Sequence, residues 1–368
     1  MMASGESNNQ AIGQSNNLYV HFPFCRRRCS YCALYSRTGV SQADRDAYVR
    51  RLAAEIKQSN NLKSNNLSTI YFGGGSPALC DLSILAPALR PLCGDETEFT
   101  VELHPLDVTS DKLAQLKDLG VNRISMGVQS LTDEVLADMG RGYTVDEAER
   151  AFALVKEQFD NAGIDLIVGY PGDEVDGGGE GGGGRWNLPR LKNWGLRHCS
   201  VYSLQNERGL KDVPDDEAVL NRIREVAALL KDLGLERYEI SNYAVPGFEC
   251  RHNLAVWRGE DYIGLGDGAY GRIGLKRTFS TGASLDIGVS ENQTVRPRVD
   301  EVSFQQDQTE RAIFRLRTRE GLDASGHPEW EKTLRTACEE GLLTQSESGY
   351  RLTERGTEVC DSILAELV

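Results

Sequence analysis

No stretch of the 368-residue chain stays apolar for the about 18 residues that a membrane-spanning helix needs. Positive charge is also scarce, since 41 Lys and Arg against 55 Asp and Glu leave a net charge of −14. That balance excludes a surface built to displace counterions from nucleic acid. Residues 1–17, rich in Ser, Asn and Gln, lack a basic start and an apolar stretch, and read as a disordered tail and not a targeting signal. The nine cysteines form no regular framework and their number is odd, which excludes a disulfide-built fold. Reduced thiols without an export signal point to the cytoplasm. Cys80, Cys93, Cys199, Cys250, Cys338 and Cys360 stand alone and read as ordinary buried or half-buried thiols.

The other three cysteines are concentrated in Cys25-Arg-Arg-Arg-Cys29-Ser-Tyr-Cys32, directly after a strand-like run from Leu18 to Phe24. Three thiolates on one loop suit three corners of a cuboidal 4Fe-4S cluster, which an electron-transfer protein would hold with four. With no fourth cysteine nearby, one iron is left open to another ligand. Zinc held with His21 is the competing reading, although zinc sites usually draw on separated cysteine pairs and Pro23 intervenes here.

From residue 18 to about 204, short apolar runs alternate with helical patterns. Strands are expected at Leu18–Phe22, Thr69–Phe72, Phe99–Leu103, Arg123–Met126, Ile164–Val168 and His198–Leu204. Helices are expected near 42–58, 82–90, 109–119, 132–138, 144–158 and 187–195. Six strand–helix repeats describe an α/β fold, a partial (β/α)6 barrel. Leu119-Gly120 and Leu233-Gly234 read as helix ends capped by a left-handed Gly. The repeated Ser-Asn-Asn (at 7, 15, 59 and 64) and the glycine run 177–184 read as flexible surface loops without chemistry. Beyond 204 come a helix at Asp215–Leu233, a strand-like Arg237–Ile240 and a loop-rich region to about 300. Helices near 303–317, 327–340 and 353–366, with a hairpin over 341–352, then suggest a small winged-helix-like α+β domain. The expected divisions are therefore 1–17, 18–204, 205–300 (a cap over the barrel) and 301–368.

Functional groups in parallel β/α barrels sit at the C-terminal ends of the strands. There this sequence places the cysteine loop, Gly73-Gly-Gly-Ser-Pro77, Glu102, His104, Gln129 and Asp165. Gly266-Asp-Gly268-Ala-Tyr-Gly271 matches a dinucleotide fingerprint in spacing, but no helix follows and no βαβ unit surrounds it, so it reads as a tight loop.

Together these stretches resemble the radical S-adenosylmethionine (radical SAM) superfamily, in its branch related to oxygen-independent coproporphyrinogen III oxidase. The matching segments include Ile70–Pro77, Gly120–Ser130, Asp165–Gly172, Tyr238–Ala244, Arg251–Gly259, Asp261–Gly266 and Arg319–Leu322. The resemblance implies Cys25, Cys29 and Cys32 as cluster ligands. It implies Tyr19, Tyr31, Gly74, Gly75, Ser76, Glu102, Gln129, Arg141 and Asp165 as contacts to S-adenosyl-L-methionine. The oxidases carry a further cysteine two positions after the third; here Leu34 stands there, which favours the branch's heme-chaperone side. That subgroup usually has Asp and Phe at 33 and 34, so Ala33 and Leu34 depart from both patterns. The short run before the first strand also leaves little room for the oxidases' N-terminal extension. His252-Asn-Leu-Ala-Val256-Trp257 resembles the chaperones' heme motif, with Val256 replacing a Tyr, and implies His252 as an axial heme ligand.

The expected function is therefore a heme chaperone passing heme to apo-hemoproteins, those of the respiratory chain included, with the cluster and its ligand serving structure, oligomer control or redox sensing more than turnover. A homodimer is compatible with it. The rival expectation is a radical enzyme acting on a porphyrinogen or other tetrapyrrole, by oxidative decarboxylation or methyl transfer.

Overall fold

The computed structural model describes residues 15–59, 62, 66–173, 186–280, 297–347 and 349–367. The expected loops at 7–9 and 177–184, with most of the tail, lie outside these. The described end of the tail is not loose: Ser15 is buried and its hydroxyl donates to the Asp261 carbonyl at 2.6 Å.

Six parallel strands stand side by side in chain order: β1 (Asn17–Phe22), β2 (Thr69–Gly74), β3 (Glu98–Leu103), β4 (Arg123–Gln129), β5 (Asn161–Val168) and β6 (His198–Ser203). All six lie where the apolar runs placed them. The pleat explains their composition. Leu18, Val20 and Phe22 point outward and are fully buried, while Tyr19 and His21 point inward. Each outward side chain contributes about 1.5–3 kcal/mol by leaving water. Its cover is amphipathic, as in Gln42–Gln58, which starts on the Ser41 cap and buries Tyr48, Val49, Leu52 and Ile56. Gly120 closes Ser110–Leu119 in the left-handed conformation, as expected.

Several expectations need correction. The 187–195 segment is a 3-10 helix, Leu188–Asn193, with Pro189 in its first turn. The 82–90 segment is 3-10 at Leu82–Leu85 and α only over Ala86–Leu89. The strand expected at Arg237–Ile240 is the two-residue β7 (Glu236–Arg237), and the region expected to be loop-rich contributes to the main sheet: β8 (Asn242–Ala244) pairs antiparallel with both β7 and β6, and β9 (Ile263–Leu265) joins parallel to β1. It also contains the helix Arg251–Trp257 and two strands, β10 (Tyr270–Ile273) and β11 (Lys276–Phe279), which pair with β12 (Arg298–Glu301). Asp307, on the helix Phe304–Leu316, fastens this small sheet by accepting from Arg272, Arg277 and Arg311.

The last part has its own core around Leu316, Leu322, Trp330, Leu334 and Leu364. Its hairpin, β13 (Leu343–Ser346) with β14 (Gly349–Leu352), falls where expected. Its final helix is broken into Glu354–Glu358 and Cys360–Ala365. Among the described residues, no helix is long and apolar enough to cross a membrane.

Candidate functional site

The cysteine loop leaves the C-terminal end of β1 and folds back on it. Arg37 N donates to Pro23 O at 2.6 Å and Cys25 N to Arg37 O at 2.9 Å. Cys32 N donates to Cys29 O at 3.3 Å, forming a turn that brings these two residues together. All three thiols are half-buried and unpaired. Burial pushes the Cys25 thiol up to about 11 and raises Cys32 as well, so metal binding must displace protons from both. Arg141 counters the resulting charge: its Nη1 lies 3.5 Å from Cys29 Sγ and 3.4 Å from Tyr31 Oη. Among the described residues, no three His, Cys, Asp or Glu side chains are arranged to hold a metal ion. A lone zinc needs such convergence, whereas a cluster offers a separate iron to each thiolate. His21 is no zinc ligand here, since its ring nitrogens meet Tyr19 Oη and Tyr35 O, both at 3.0 Å. The donor set therefore fits an iron–sulfur cluster.

Beside the loop, the glycines after β2 are demanded by close approach. A Cβ on Gly74, whose φ is +104°, would lie 2.4 Å from the His21 ring, and one on Gly75 would lie 2.5 Å from Phe24 O. Ser76 is committed elsewhere: its N donates to Phe24 O at 2.7 Å and its hydroxyl to Asp107, which also holds Arg26. Its side chain thus braces the cysteine loop through Asp107, while its oxygen can still accept from a ligand.

Deeper in the mouth, Glu102 and Asp165 share one enclosed interior. Glu102 accepts from Tyr71 Oη at 2.8 Å and Gly74 N at 3.1 Å; Asp165 accepts from Ser125 Oγ at 3.0 Å. Burial first, then the Asp165 charge, pushes Glu102 up to about 7. Burial likewise raises Asp165, against hydrogen bonds from Ser200 and Ser125. Two enclosed carboxyls favour a ligand that brings positive charge and hydroxyl donors. Gln129 ends β4 with φ +75°, after a register shift between Gly127 and Gln129. A left-handed glutamine at a strand end is a conformation that costs energy, and such residues cluster at ligand sites. Arg141 is held by bonds to Gly127 O at 2.6 Å and Tyr143 Oη at 2.9 Å. Tyr19 stands behind this group, its ring 6.1 Å from that of Tyr71.

The model of the radical SAM superfamily matches residues 19–176. The heme chaperone HemW of Bacillus subtilis is 30% identical over 95% of this chain and 99% of its own length. That of Escherichia coli is 33% identical over 73% of this chain and 72% of its own. The chain belongs to the HemW family of the radical SAM superfamily. Among solved structures, coproporphyrinogen III oxidase (HemN) from Escherichia coli superposes with a TM-score of 0.79, covering 98% of this chain and 91% of that one, at 22% identity. That likeness establishes the shared fold.

Against the HemW-like heme motif, the structure moves His252 from a loop to the barrel floor. It opens the helix Arg251–Trp257, whose first N–H groups are met by the Glu98 carboxylate, including His252 N at 3.0 Å. The imidazole Nδ1 bonds Thr69 Oγ1 at 2.8 Å, and the rings of Tyr71, Tyr19 and Tyr262 surround it at 5.2, 6.3 and 6.4 Å. It is 4% exposed. In this conformation His252 closes the floor, and its expected part as an axial heme ligand is tested by His252→Ala. Burial first, then Arg123, holds it down to about 3, so the ring is neutral.

Sequence reasoning passed over Tyr71, Ser125, Tyr143 and Tyr170. The signal available was alternation: Tyr71 and Ser125 occupy inward positions in the same register as Tyr19 and Glu102. Tyr170 carried none, because only the loop's path brings it to the cysteines.

Proposed function

We propose that this chain is a heme chaperone that binds heme, a 4Fe-4S cluster and S-adenosylmethionine, and delivers heme to an apo-hemoprotein. The observation that carries the reading is kinship with heme chaperones named HemW along essentially the whole chain. Cys25, Cys29 and Cys32 would hold the cluster, and the mouth residues Glu102, Gln129, Arg141 and Asp165 would hold the nucleotide ligand. Tyr19, Tyr31, Gly74 and Gly75 would shape its walls. When bound, the cluster supplies one iron without a protein ligand and a reducing electron. The protein's own share is electrostatic. Arg141 offsets thiolate charge at Cys29, and the two half-buried carboxyls of Glu102 and Asp165 attract an ammonium or sulfonium and ribose hydroxyls. Glycine backbone at 74 and 75 keeps that wall thin enough for close approach.

Heme titration into the anaerobically prepared chain tests the reading. A Soret band saturating at one heme per chain, followed by loss of that heme to an apo-hemoprotein, is expected. No stoichiometric Soret band, with or without reconstituted cluster, would overturn it. Substrate-dependent 5′-deoxyadenosine formed from a porphyrinogen would instead support the radical-enzyme alternative. Finer expectations, a respiratory-chain recipient, a homodimer and a cytoplasmic location, are addressed by co-purification, sedimentation and fractionation.

A further inference from the structure

The two residues between Cys29 and Cys32 are gripped by a tyrosine from across the barrel rim. Tyr170 follows β5 in Gly169-Tyr-Pro-Gly172, where Gly169 and Gly172 both have positive φ (+86° and +82°) and turn the chain tightly. The turn is tied by Asp173 N donating to Tyr170 O at 2.9 Å and Gly169 N to Asp173 Oδ2 at 3.2 Å. Its ring is fully buried against Val135, Met139 and Ile167, so its hydroxyl is delivered to a fixed point.

We propose that Tyr170 is a positioning residue for the cysteine loop, holding Ser30 and Tyr31 so that Cys29 and Cys32 meet their cluster in one geometry. The inference rests on the reading that Cys25, Cys29 and Cys32 hold that cluster. The Tyr170 hydroxyl donates to Asp138 Oδ2 at 2.6 Å. Its single proton is thus spent, and the contact to Ser30 Oγ at 2.7 Å is a bond donated by the serine. The result is a directed relay, Ser30 to Tyr170 to Asp138, whose anionic end polarises both bonds. Ser30 N also donates to Met139 O at 3.2 Å, next to Asp138. The Tyr170 ring meets Tyr31 edge-on, with centroids 6.5 Å apart at 85°. Tyr31 in turn shares Arg141 Nη1 with Cys29 Sγ, so one tyrosine steadies both residues of the inter-cysteine pair.

The full-length chain, reconstituted anaerobically with iron and sulfide, is compared with Tyr170→Phe, Ser30→Ala and the double variant. Three readouts are taken: the rate of iron release to a ferrous chelator, the EPR line shape of the reduced cluster, and apo-protein melting. Ser30→Ala should release iron about fivefold faster, as loss of one ordinary hydrogen bond implies, and Tyr170→Phe, which removes both bonds of the relay, at least as fast. The double variant should be no faster than Tyr170→Phe, and the EPR line shape should change in all three. Tyr238→Phe, which removes bonds to His198 and Cys250 in the barrel floor, should lower melting without altering iron release. Wild-type release and an unchanged line shape in both single variants would overturn the proposal. So would acceleration by Tyr238→Phe equal to that by Tyr170→Phe. A wild-type chain that takes up no iron would instead bring down the cluster reading on which the proposal stands.

Discussion

The two ends of the barrel are built from the same strands to opposite purposes. At the mouth, β1 to β5 carry or lead into half-buried thiols, a glycine wall, a left-handed Gln129 and two carboxyls with raised proton affinity. At the floor, the first residues of β2, β3 and β4 are closed by the helix Arg251–Trp257, with Glu98 capping its start and Arg123 fully buried nearby. Mouth residues are therefore strained, or half-buried with raised proton affinity, while the floor residues Glu98, Arg123 and His252 are sealed. Polar side chains alone do not mark a binding site; access and unmet chemistry do. By that criterion the cysteine loop with Glu102 and Asp165 carries the marks of the proposed ligand site, and His252 those of a closure.

The contrast is broken most severely at the thiols. Cys29→Ser should abolish cluster uptake, read as iron and labile sulfide after anaerobic reconstitution, while the apo-fold survives. Retained iron would remove the mouth's claim to a cluster.

Next in size is a pH effect at Glu102, whose carboxyl is raised from 4.5 to about 7 by burial and by Asp165. Below pH 4.5 the group is protonated in both the folded and the unfolded chain, so its favourable contribution is fully present. As pH rises, the unfolded chain ionises first, and that contribution is lost until about pH 7. The apo-protein should therefore lose about 3 kcal/mol relative to Glu102→Gln between pH 4.5 and 8, measured by urea unfolding. S-adenosylmethionine should restore stability to the wild type above pH 7 and do so less for the variant. Parallel pH profiles would mean that Glu102 is not enclosed.

The smallest expected effect is at the floor. His252→Ala removes the Thr69 bond and a ring packed among three tyrosines, and should cost about 1–3 kcal/mol of stability with the Soret band retained. A lost Soret band at unchanged melting would show that the helix lifts and that His252 reaches iron.

The six parallel strands were legible because each is an apolar run bounded by turn residues, and Gly120 announced its helix end. β9 was not legible: Ile263–Leu265 is three residues long and contains a glycine, and only its docking beside β1 makes it a strand. The seven residues of Arg251–Trp257 are too few to display a helical period, so tertiary capping by Glu98 decides that helix. The cysteines were legible from spacing. Glu102 and Asp165 were legible as residues at strand ends, but their shared enclosure was not, since it depends on the closeness of three strands. Ser76 shows the limit from the other side: the bond of its hydroxyl to Asp107 depends on where the next strand's loop runs, which its position in the sequence does not give.

The most direct test of the mouth as a cluster-and-nucleotide site is EPR of the reduced, anaerobically reconstituted chain, recorded before and after S-adenosylmethionine is added. About four irons per chain and a line shape that changes on addition are expected. Bound zinc, an absence of iron and sulfide, or a cluster spectrum indifferent to the ligand would contradict the account.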